Sequence, residues 1–338
     1  MRRAGSVLLA VAALPFTPWA VLALWFRLPG PAWLAHGVAL AFAAGVLLVL
    51  LRVRSLARRA ALVGIAFAVV LLWWSSLRPS NQRDWAPDVA RPPTARVEGD
   101  TLIVENVRNF DYRSETDFTE RWEERRYDLR KLRGLDLFLS YWGSPAIAHT
   151  IVSFDFGDGE HLAISIETRK ERDEAYSAIR GFFREYELYY VVADERDVVR
   201  LRTNYRGEQV YLYRLRARPE PVRELLLDYV ETMNELARKP RWYNALLENC
   251  TTGIRVHTQH VGVAAPWDWR LLVNGHVDEM LYERGAIDTS LPFAELKERS
   301  NVVERARAAD HDPAFSARIR AGLPTPEPPP FPAPRNNR

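Results

Sequence analysis

The feature that most constrains this chain is its first 78 residues, which contain no aspartate or glutamate and are mostly apolar. Three apolar runs lie in this stretch, and each approaches the roughly 20 residues that a helix needs to cross a bilayer. The runs are residues 6–26, 31–51 and 61–77. The sequence therefore predicts a membrane anchor of three helices within residues 1–78.

The basic residues of this region predict its orientation. Arg2 and Arg3 precede the first run and Arg52–Arg59 separates the second from the third, whereas only Arg27 lies between the first two. Because basic loops stay in the cytoplasm, the chain that follows three spans is expected outside. The expected location is the bacterial inner membrane, multi-pass, with the soluble domain in the periplasm. In the alternative, residues 1–20 are a cleaved signal peptide and the orientation reverses.

The rest of the chain is polar and long enough to fold around its own core. Its composition predicts a linker at residues 79–95, a domain at 96–312 and a proline-rich, disordered tail at 313–338. The formal net charge is +3, and basic and acidic residues are interleaved along the soluble part. This distribution is typical of solvated surfaces and argues against nucleic acid as a partner.

Hydrophobic periodicity predicts an α+β domain, in which grouped strands are flanked by helices. Strands are predicted at residues 101–107, 188–193, 198–203 and 209–215, and a hairpin at 146–156 and 161–168. Helices are predicted at residues 117–132, 173–185, 221–238 and 250–260.

The predicted hairpin places a histidine beside a glutamate. A three-residue loop at 157–159 brings apolar side chains opposite one another, pairing Val152 with Ile164 and Phe154 with Leu162. The same register pairs His149 with Glu167, on the more polar face that also carries Ser153 and Ser165. A carboxylate beside an imidazole orients the ring and favours its charged form. The alternative is a surface ion pair without a catalytic role.

Cys250 is the only cysteine of the chain. It follows Asn249 at a predicted helix start, where unpaired N–H groups and the helix dipole favour a thiolate. A lone cysteine is also a common small core residue, which is the structural alternative. His257 follows seven residues later, about 10 Å along the helix and too far for direct contact. No C-x-x-C or H-x-x-x-H spacing is present, so neither a metal nor a cofactor is expected.

Four stretches of the soluble part are distinctive when taken together: Val107–Tyr112, Tyr141–His149, Ala163–Arg169 and Tyr243–Thr252. Together they resemble the Lnb-type periplasmic domain family of bacterial envelope proteins. The similarity runs from about residue 100 to residue 312. It also takes in two shorter motifs, Pro266–Arg270 and Asp288–Pro292.

The resemblance implies a circularly permuted papain-like (NlpC/P60-like) fold, in which the histidine strand precedes the cysteine helix. It implies that Cys250 is the nucleophile, His149 its base and Glu167 the residue that orients the base. Asn249 is implied as an oxyanion contact, through its side chain or the local backbone. The family's activity is lipoprotein N-acylation. Its named enzyme carries membrane helices after this domain, whereas here they precede it.

These observations favour a membrane-anchored periplasmic acyltransferase or acyl hydrolase that uses Cys250 and forms a thioester acyl-enzyme. The expected partners are a membrane lipid or lipoprotein substrate and the bilayer, through the N-terminal helices. One alternative is a cysteine peptidase or amidase that acts on envelope peptides or peptidoglycan. The other is a non-enzymatic envelope module in which Cys250 is buried.

Overall fold

The computed structural model describes residues 16–245, 248–325 and Glu327. The chain forms two compact units. The first comprises the chain up to Ser80 together with Tyr176–Glu187, and the second comprises Asn81–Ala175 and the residues from Leu188 onward.

The first unit is built on three apolar helices. Residues 16–27 are helical (α1), and α2 (Ala32–Arg52) and α3 (Leu56–Ser76) follow. At 1.5 Å per residue, α2 and α3 are each about 31 Å long, which matches the hydrocarbon core of a bilayer. Among the described residues, these two have the length and composition of membrane spans. Part of the predicted first span, residues 6–26, lies outside the described residues.

The segment 176–187 belongs to the first unit, where Phe183 closes a buried cluster with small residues of the helices such as Ala20 and Ala39. The predicted helix at 173–185 is wrong, because only Arg180–Phe182 forms a single helical turn. Gly181 weakens helix propensity. Arg184 adopts a φ of 58°, which ends the turn.

The second unit contains an eight-stranded sheet in the order β1-β2-β9-β8-β7-β6-β10, with β5 beside β2. The strands are β1 (Thr94–Glu98), β2 (Thr101–Arg108), β5 (Trp122–Asp128), β6 (Gly134–Tyr141), β7 (Ala148–Gly157), β8 (Glu160–Arg169), β9 (Glu187–Ala193) and β10 (Gln209–Arg214). A separate hairpin consists of β3 (Asp111–Tyr112) and β4 (Phe118–Thr119). Strands β2, β9 and β10 confirm three of the predicted strands.

The β7–β8 pair confirms the predicted hairpin and its apolar register, since Val152 pairs with Ile164 and Phe154 with Leu162. The turn is tighter than predicted. Gly157 pairs with Glu160, and the register shifts between Asp155 and Gly157. Gly157 and Gly159 have φ values of +80° and +83°, a region that glycine enters without steric cost.

Helices surround the sheet. They are α4 (Glu195–Arg200), α5 (Pro219–Arg238), α6 (Cys250–His260), α7 (Val277–Glu283), α8 (Phe293–Ser300), α9 (Val303–Ala308) and α10 (Phe315–Ile319). The predicted helices at 221–238 and 250–260 are confirmed by α5 and α6. Helix α6 packs against α5, β7 and β8. The arrangement confirms the α+β class.

Two predictions of local structure are wrong. Residues 117–132 form β4 and β5 instead of a helix, and Arg125 of β5 pairs with Glu123 and Asp194 at 2.8 Å and 2.7 Å. The charged residues of this segment suit a solvated strand as well as a helix. Its pairing with β2 therefore determines that it forms a strand. Residues 198–203 are helical in α4 and the π-helical turn Leu201–Tyr205. Asp194 starts α4 by accepting a hydrogen bond from the Arg196 N–H at 2.8 Å.

Described residues of the predicted linker, from Asn81 onward, and of the predicted tail pack into the second unit. In the linker, Trp85 and Val89 are buried, and Arg169 donates a hydrogen bond to the Val89 carbonyl at 2.9 Å. In the tail, Phe315 of α10 is buried in the core. Arg320 pairs with Glu195 at 2.6 Å. The ordered domain therefore extends beyond both predicted boundaries, 96 and 312.

Candidate active site

Cys250 is the first residue of α6. The Asn249 side-chain oxygen accepts hydrogen bonds from the N–H groups of Thr251 and Thr252, at 3.0 Å and 2.9 Å. The Thr252 hydroxyl in turn accepts one from the Asn249 N–H at 3.0 Å. This capping box determines where the helix begins. The thiol therefore lies at the positive end of the helix dipole, and the residue is 9 % exposed.

The Asn249 side chain serves as the cap of α6. Its oxygen accepts the two N–H groups of the first helical turn, and its Nδ2 donates to the Ala245 carbonyl at 3.0 Å. Both ends of the amide are thus engaged locally. The backbone N–H of Asn249 is engaged as well, by the Thr252 hydroxyl.

His149 and Glu167 lie together at the same end of the β7–β8 hairpin. His149 Nε2 is 3.4 Å from Glu167 Oε1 and 2.6 Å from the Ser165 hydroxyl. The Ser165 hydroxyl donates to Glu167 Oε1 at 2.8 Å. The predicted grouping of these three side chains on one face is confirmed. Nε2 is therefore the ring nitrogen of His149 that faces Ser165 and Glu167.

The thiol and the imidazole shift each other's titration. Burial disfavours the thiolate, but the charge and hydrogen bond of His149, aided by donors of Thr150, lower the pKa of Cys250 to about 6. Burial and Arg202 disfavour the imidazolium, but Cys250 and Glu167 outweigh them and raise the pKa of His149 to about 9. Between these values the thiolate of Cys250 and the imidazolium of His149 are the favoured forms.

Glu167 is held as a carboxylate by Arg202, which donates to Glu167 Oε1 at 2.9 Å. Burial opposes the charge, yet Arg202 and His149 together hold the pKa of Glu167 well below its usual range. Arg202 also lies 3.8 Å from Glu208. The sequence did not indicate Arg202. A strand is predicted at residues 198–203, and a strand directs the Arg202 side chain differently from the helical turn that is present.

Asn274 is a second site residue that the sequence did not indicate. Its Nδ2 donates to the Thr251 hydroxyl at 2.7 Å and toward Cys250 Sγ at 3.8 Å. Its oxygen accepts the Ala148 N–H at 2.9 Å. One buried amide therefore joins the start of α6 to the start of β7. No local pattern marks it, because its partners are 23 to 126 residues away in the chain.

The loop at Gly275 lies against the chain that leads into β7. The Gly275 N–H donates to the Ala146 carbonyl at 2.9 Å, and the Tyr141 hydroxyl donates to the Gly275 carbonyl at 2.8 Å. A Cβ at Gly275 would lie 2.0 Å from the Pro145 carbonyl oxygen. Only glycine permits this approach, which positions Asn274 beside the thiol.

Exposed apolar side chains lie near His149. Trp142 is 46 % exposed, and its ring is 6.5 Å from the His149 ring in an edge-on arrangement. Ile147, Trp269 and Leu272, close in sequence to His149 or Asn274, are also exposed. Apolar groups with a few polar groups at the centre are typical of sites that take an apolar ligand.

Residues 118–275 match the family described as the Lnb N-terminal periplasmic domain. This segment contains all the site residues described above, from His149 to Asn274. Neither the curated proteins nor the solved structures provide a match to the chain. The match to this family and the two apolar helices together support a membrane-anchored periplasmic protein of the cell envelope.

Proposed function

We propose that this protein is a cysteine-dependent acyltransferase or acyl hydrolase that receives an acyl group from a membrane lipid or lipoprotein on Cys250. The observation that carries the proposal is a buried thiol at the capped start of α6, with the Asn274 amide 3.8 Å from its sulfur. The charge of His149 lowers the pKa of this thiol. A thiolate attacks esters readily, and the neighbouring imidazolium supplies the proton that the leaving group needs.

In the first step, the Cys250 thiolate attacks the carbonyl carbon of an ester. The new C–S bond produces a tetrahedral oxyanion, which collapses as the C–O bond to the alcohol breaks. The imidazolium of His149 gives its proton to the departing alkoxide. The products are a thioester on Cys250, an alcohol and a neutral imidazole, so charge and protons balance.

The oxyanion needs donors close to the sulfur. The proposed donors are the backbone N–H at the start of α6 and the Asn274 amide, which lies 3.8 Å from Cys250 Sγ. Asn249 supports this role indirectly, since it caps the helix and thereby fixes the position of Cys250. The expected contact at Asn249, through its side chain or the local backbone, stays a prediction beside that of Asn274.

In the second step, an amine or a water molecule attacks the thioester. Neutral His149 accepts a proton from the attacking nucleophile, and the C–S bond breaks to release the thiolate. An amine gives an amide and water gives a carboxylic acid, so one site serves transfer and hydrolysis. Glu167, held by Arg202 and linked through Ser165, keeps the His149 ring oriented in both steps.

The order of the two groups along the chain supports a permuted papain-like arrangement, since the histidine strand β7 precedes the cysteine helix α6. The same dyad serves acyl transfer to an amine and cleavage of an amide, so the fold alone does not select the substrate. The membrane anchor and the exposed apolar side chains near His149 favour a lipid acyl donor over a peptide.

The test uses the full chain in detergent micelles and an alkyne-tagged fatty acyl p-nitrophenyl ester as the probe. We expect covalent labelling that neutral hydroxylamine removes, as a thioester requires. Cys250→Ala and His149→Ala should abolish or strongly reduce labelling. His311→Ala, which removes an exposed histidine beside Asp310 at 3.3 Å, should label like the unchanged protein.

Competition then separates the substrate classes. Phospholipid vesicles should suppress labelling, whereas muropeptides should not. Suppression by muropeptides alone favours the peptidase or amidase alternative. Undiminished labelling of Cys250→Ala, or a thiol of the unchanged protein that no acyl probe labels, refutes the proposed mechanism and favours a non-enzymatic module.

A further inference from the structure

A second cluster of titratable side chains lies toward the other end of α6 from Cys250. Asp228 of α5 faces His257 and His260: its carboxylate oxygens are 2.5 Å from His257 Nδ1 and 3.1 Å from His260 Nδ1. One ligand atom from each of the three residues lies within 4.8 Å of the other two. None of them takes part in the proposed acyl transfer.

The packing of two helices creates this cluster. His257 and His260 are three residues apart on α6, so their side chains lie on one face of the helix. Helix α5 packs against α6 and brings Asp228 opposite them. The sequence predicted no metal site, because one of the three groups comes from another helix, 29 residues before His257.

We infer that Asp228, His257 and His260 bind one divalent transition-metal ion, with Zn²⁺ as the best match. Imidazole nitrogen and carboxylate oxygen bind zinc at about 2.0–2.2 Å, which places the ligand atoms of a tetrahedral site about 3–4 Å apart. The present separations, from 2.5 Å to at most 4.8 Å, bracket that spacing.

The surroundings of His257 support a ligand role. A metal-bound histidine usually forms a hydrogen bond through its other nitrogen, which fixes the ring. The Tyr190 hydroxyl lies 2.7 Å from His257 Nε2, and the Tyr229 ring stacks on the imidazole at 3.8 Å. Both contacts hold Nδ1 toward Asp228.

The solvent side of the cluster is open, since the His260 side chain is 55 % exposed. Water from that side completes the coordination. The ion ties α5 to α6, and α6 carries Cys250 about 10 Å away along its axis. We therefore infer that the bound ion stabilises the packing of α5 against α6, the helix that presents the thiol.

The test uses the full chain with Cys250→Ala and without a polyhistidine tag, so that neither the thiol nor a tag binds metal. The protein is stripped with a chelator and titrated with Zn²⁺ by calorimetry and with Co²⁺ by visible absorption. We expect one ion per chain, the absorption of four-coordinate Co²⁺, and a higher Tm with Zn²⁺.

Asp228→Asn and His260→Ala should each weaken Zn²⁺ binding by more than about tenfold, and Tyr190→Phe by about tenfold. His311→Ala is the matched control, because it removes an exposed histidine that is also beside a carboxylate. It should leave binding unchanged.

Substitution of exposed His260 should preserve the fold, which circular dichroism checks. Binding that persists in both Asp228→Asn and His260→Ala overturns the inference. So does a folded protein that binds no stoichiometric Zn²⁺ or Co²⁺, since the three groups are then only a hydrogen-bonded cluster. Neither result affects the proposed acyl transfer, which is tested with the cysteine intact.

Discussion

The Ser165 hydroxyl lies 2.6 Å from His149 Nε2 and links the imidazole to Glu167. In the proposed mechanism, this contact makes Ser165 a positioning residue that orients the His149 ring.

We predict that Ser165→Ala slows acyl-enzyme formation, because the His149 ring loses the hydrogen-bond partner that orients it. The loss should be smaller than for His149→Ala, which removes a base worth about 10²–10⁴-fold in rate. The measurement is the pre-steady-state rate of labelling against pH. Ser165→Thr, which retains the hydroxyl, should recover most of the rate; equal loss in both variants argues for a packing role instead.

The pH dependence of Cys250 alkylation should reveal the ion pair. The pKa of the thiol is lowered to about 6, so iodoacetamide should react at a rate that rises through about pH 6. In His149→Ala the stabilising charge is absent, and the rise should move toward the ordinary thiol value of about 8.5. A rise near the ordinary value in the unchanged protein contradicts the pair.

Acyl-enzyme formation should instead be bell-shaped in pH. It needs the thiolate, formed above about pH 6, and the imidazolium, lost above about pH 9. Glu167→Gln removes a carboxylate that raises the pKa of His149, so the alkaline limb should move to lower pH. Glu160→Gln, at the exposed other end of β8, is the control. If the alkaline limb does not move in Glu167→Gln, the Glu167 carboxylate does not raise the pKa of His149.

Gly275→Ala should disturb the candidate active site without changing Cys250 or His149. The added Cβ would lie 2.0 Å from the Pro145 carbonyl oxygen, so the loop has to shift and take Asn274 with it. We expect a lower Tm and slower labelling. Gly134→Ala is the matched control, since its Cβ would be 3.9 Å from the nearest atom outside its chain neighbours, the Asp155 Cβ. Similar effects in both variants point to a general cost of replacing glycine.

Phe315→Ala should destabilise the domain even though the residue lies in the predicted tail. Its ring is fully buried in the core, and truncation of a buried phenylalanine costs about 3–5 kcal/mol. Arg318→Ala, exposed on the same helix, should cost less than about 1 kcal/mol. Urea titration in micelles measures both. An unchanged free energy of unfolding for Phe315→Ala means that α10 does not belong to the core.

The parts of the fold that were predicted correctly are those with a strong local pattern. Helix α5 repeats its apolar residues at helical spacing, and the β7–β8 hairpin alternates around a glycine-rich turn. In the hairpin, only one register pairs apolar with apolar side chains. That register by itself predicts that His149, Ser165 and Glu167 lie together.

The wrong predictions share a physical cause. Residues 117–132 and 198–203 have patterns that suit a helix or a strand, and their neighbours in space decided between them. Because residues 198–203 were predicted as a strand, the contact of Arg202 with Glu167 was missed. The direction of the Arg202 side chain depends on the π-helical turn that contains it.

The sequence by itself determined the apolar anchor, the solitary thiol at a capped helix start and the histidine–carboxylate pair on adjacent strands. Each depends on residues that are close in the chain or paired across one short turn. Only the tertiary structure decided the contacts of Asn274 with Cys250, Arg202 with Glu167 and Asp228 with His257. These contacts join distant segments, and the burial of whole helices and strands, which no local pattern encodes, brings them together.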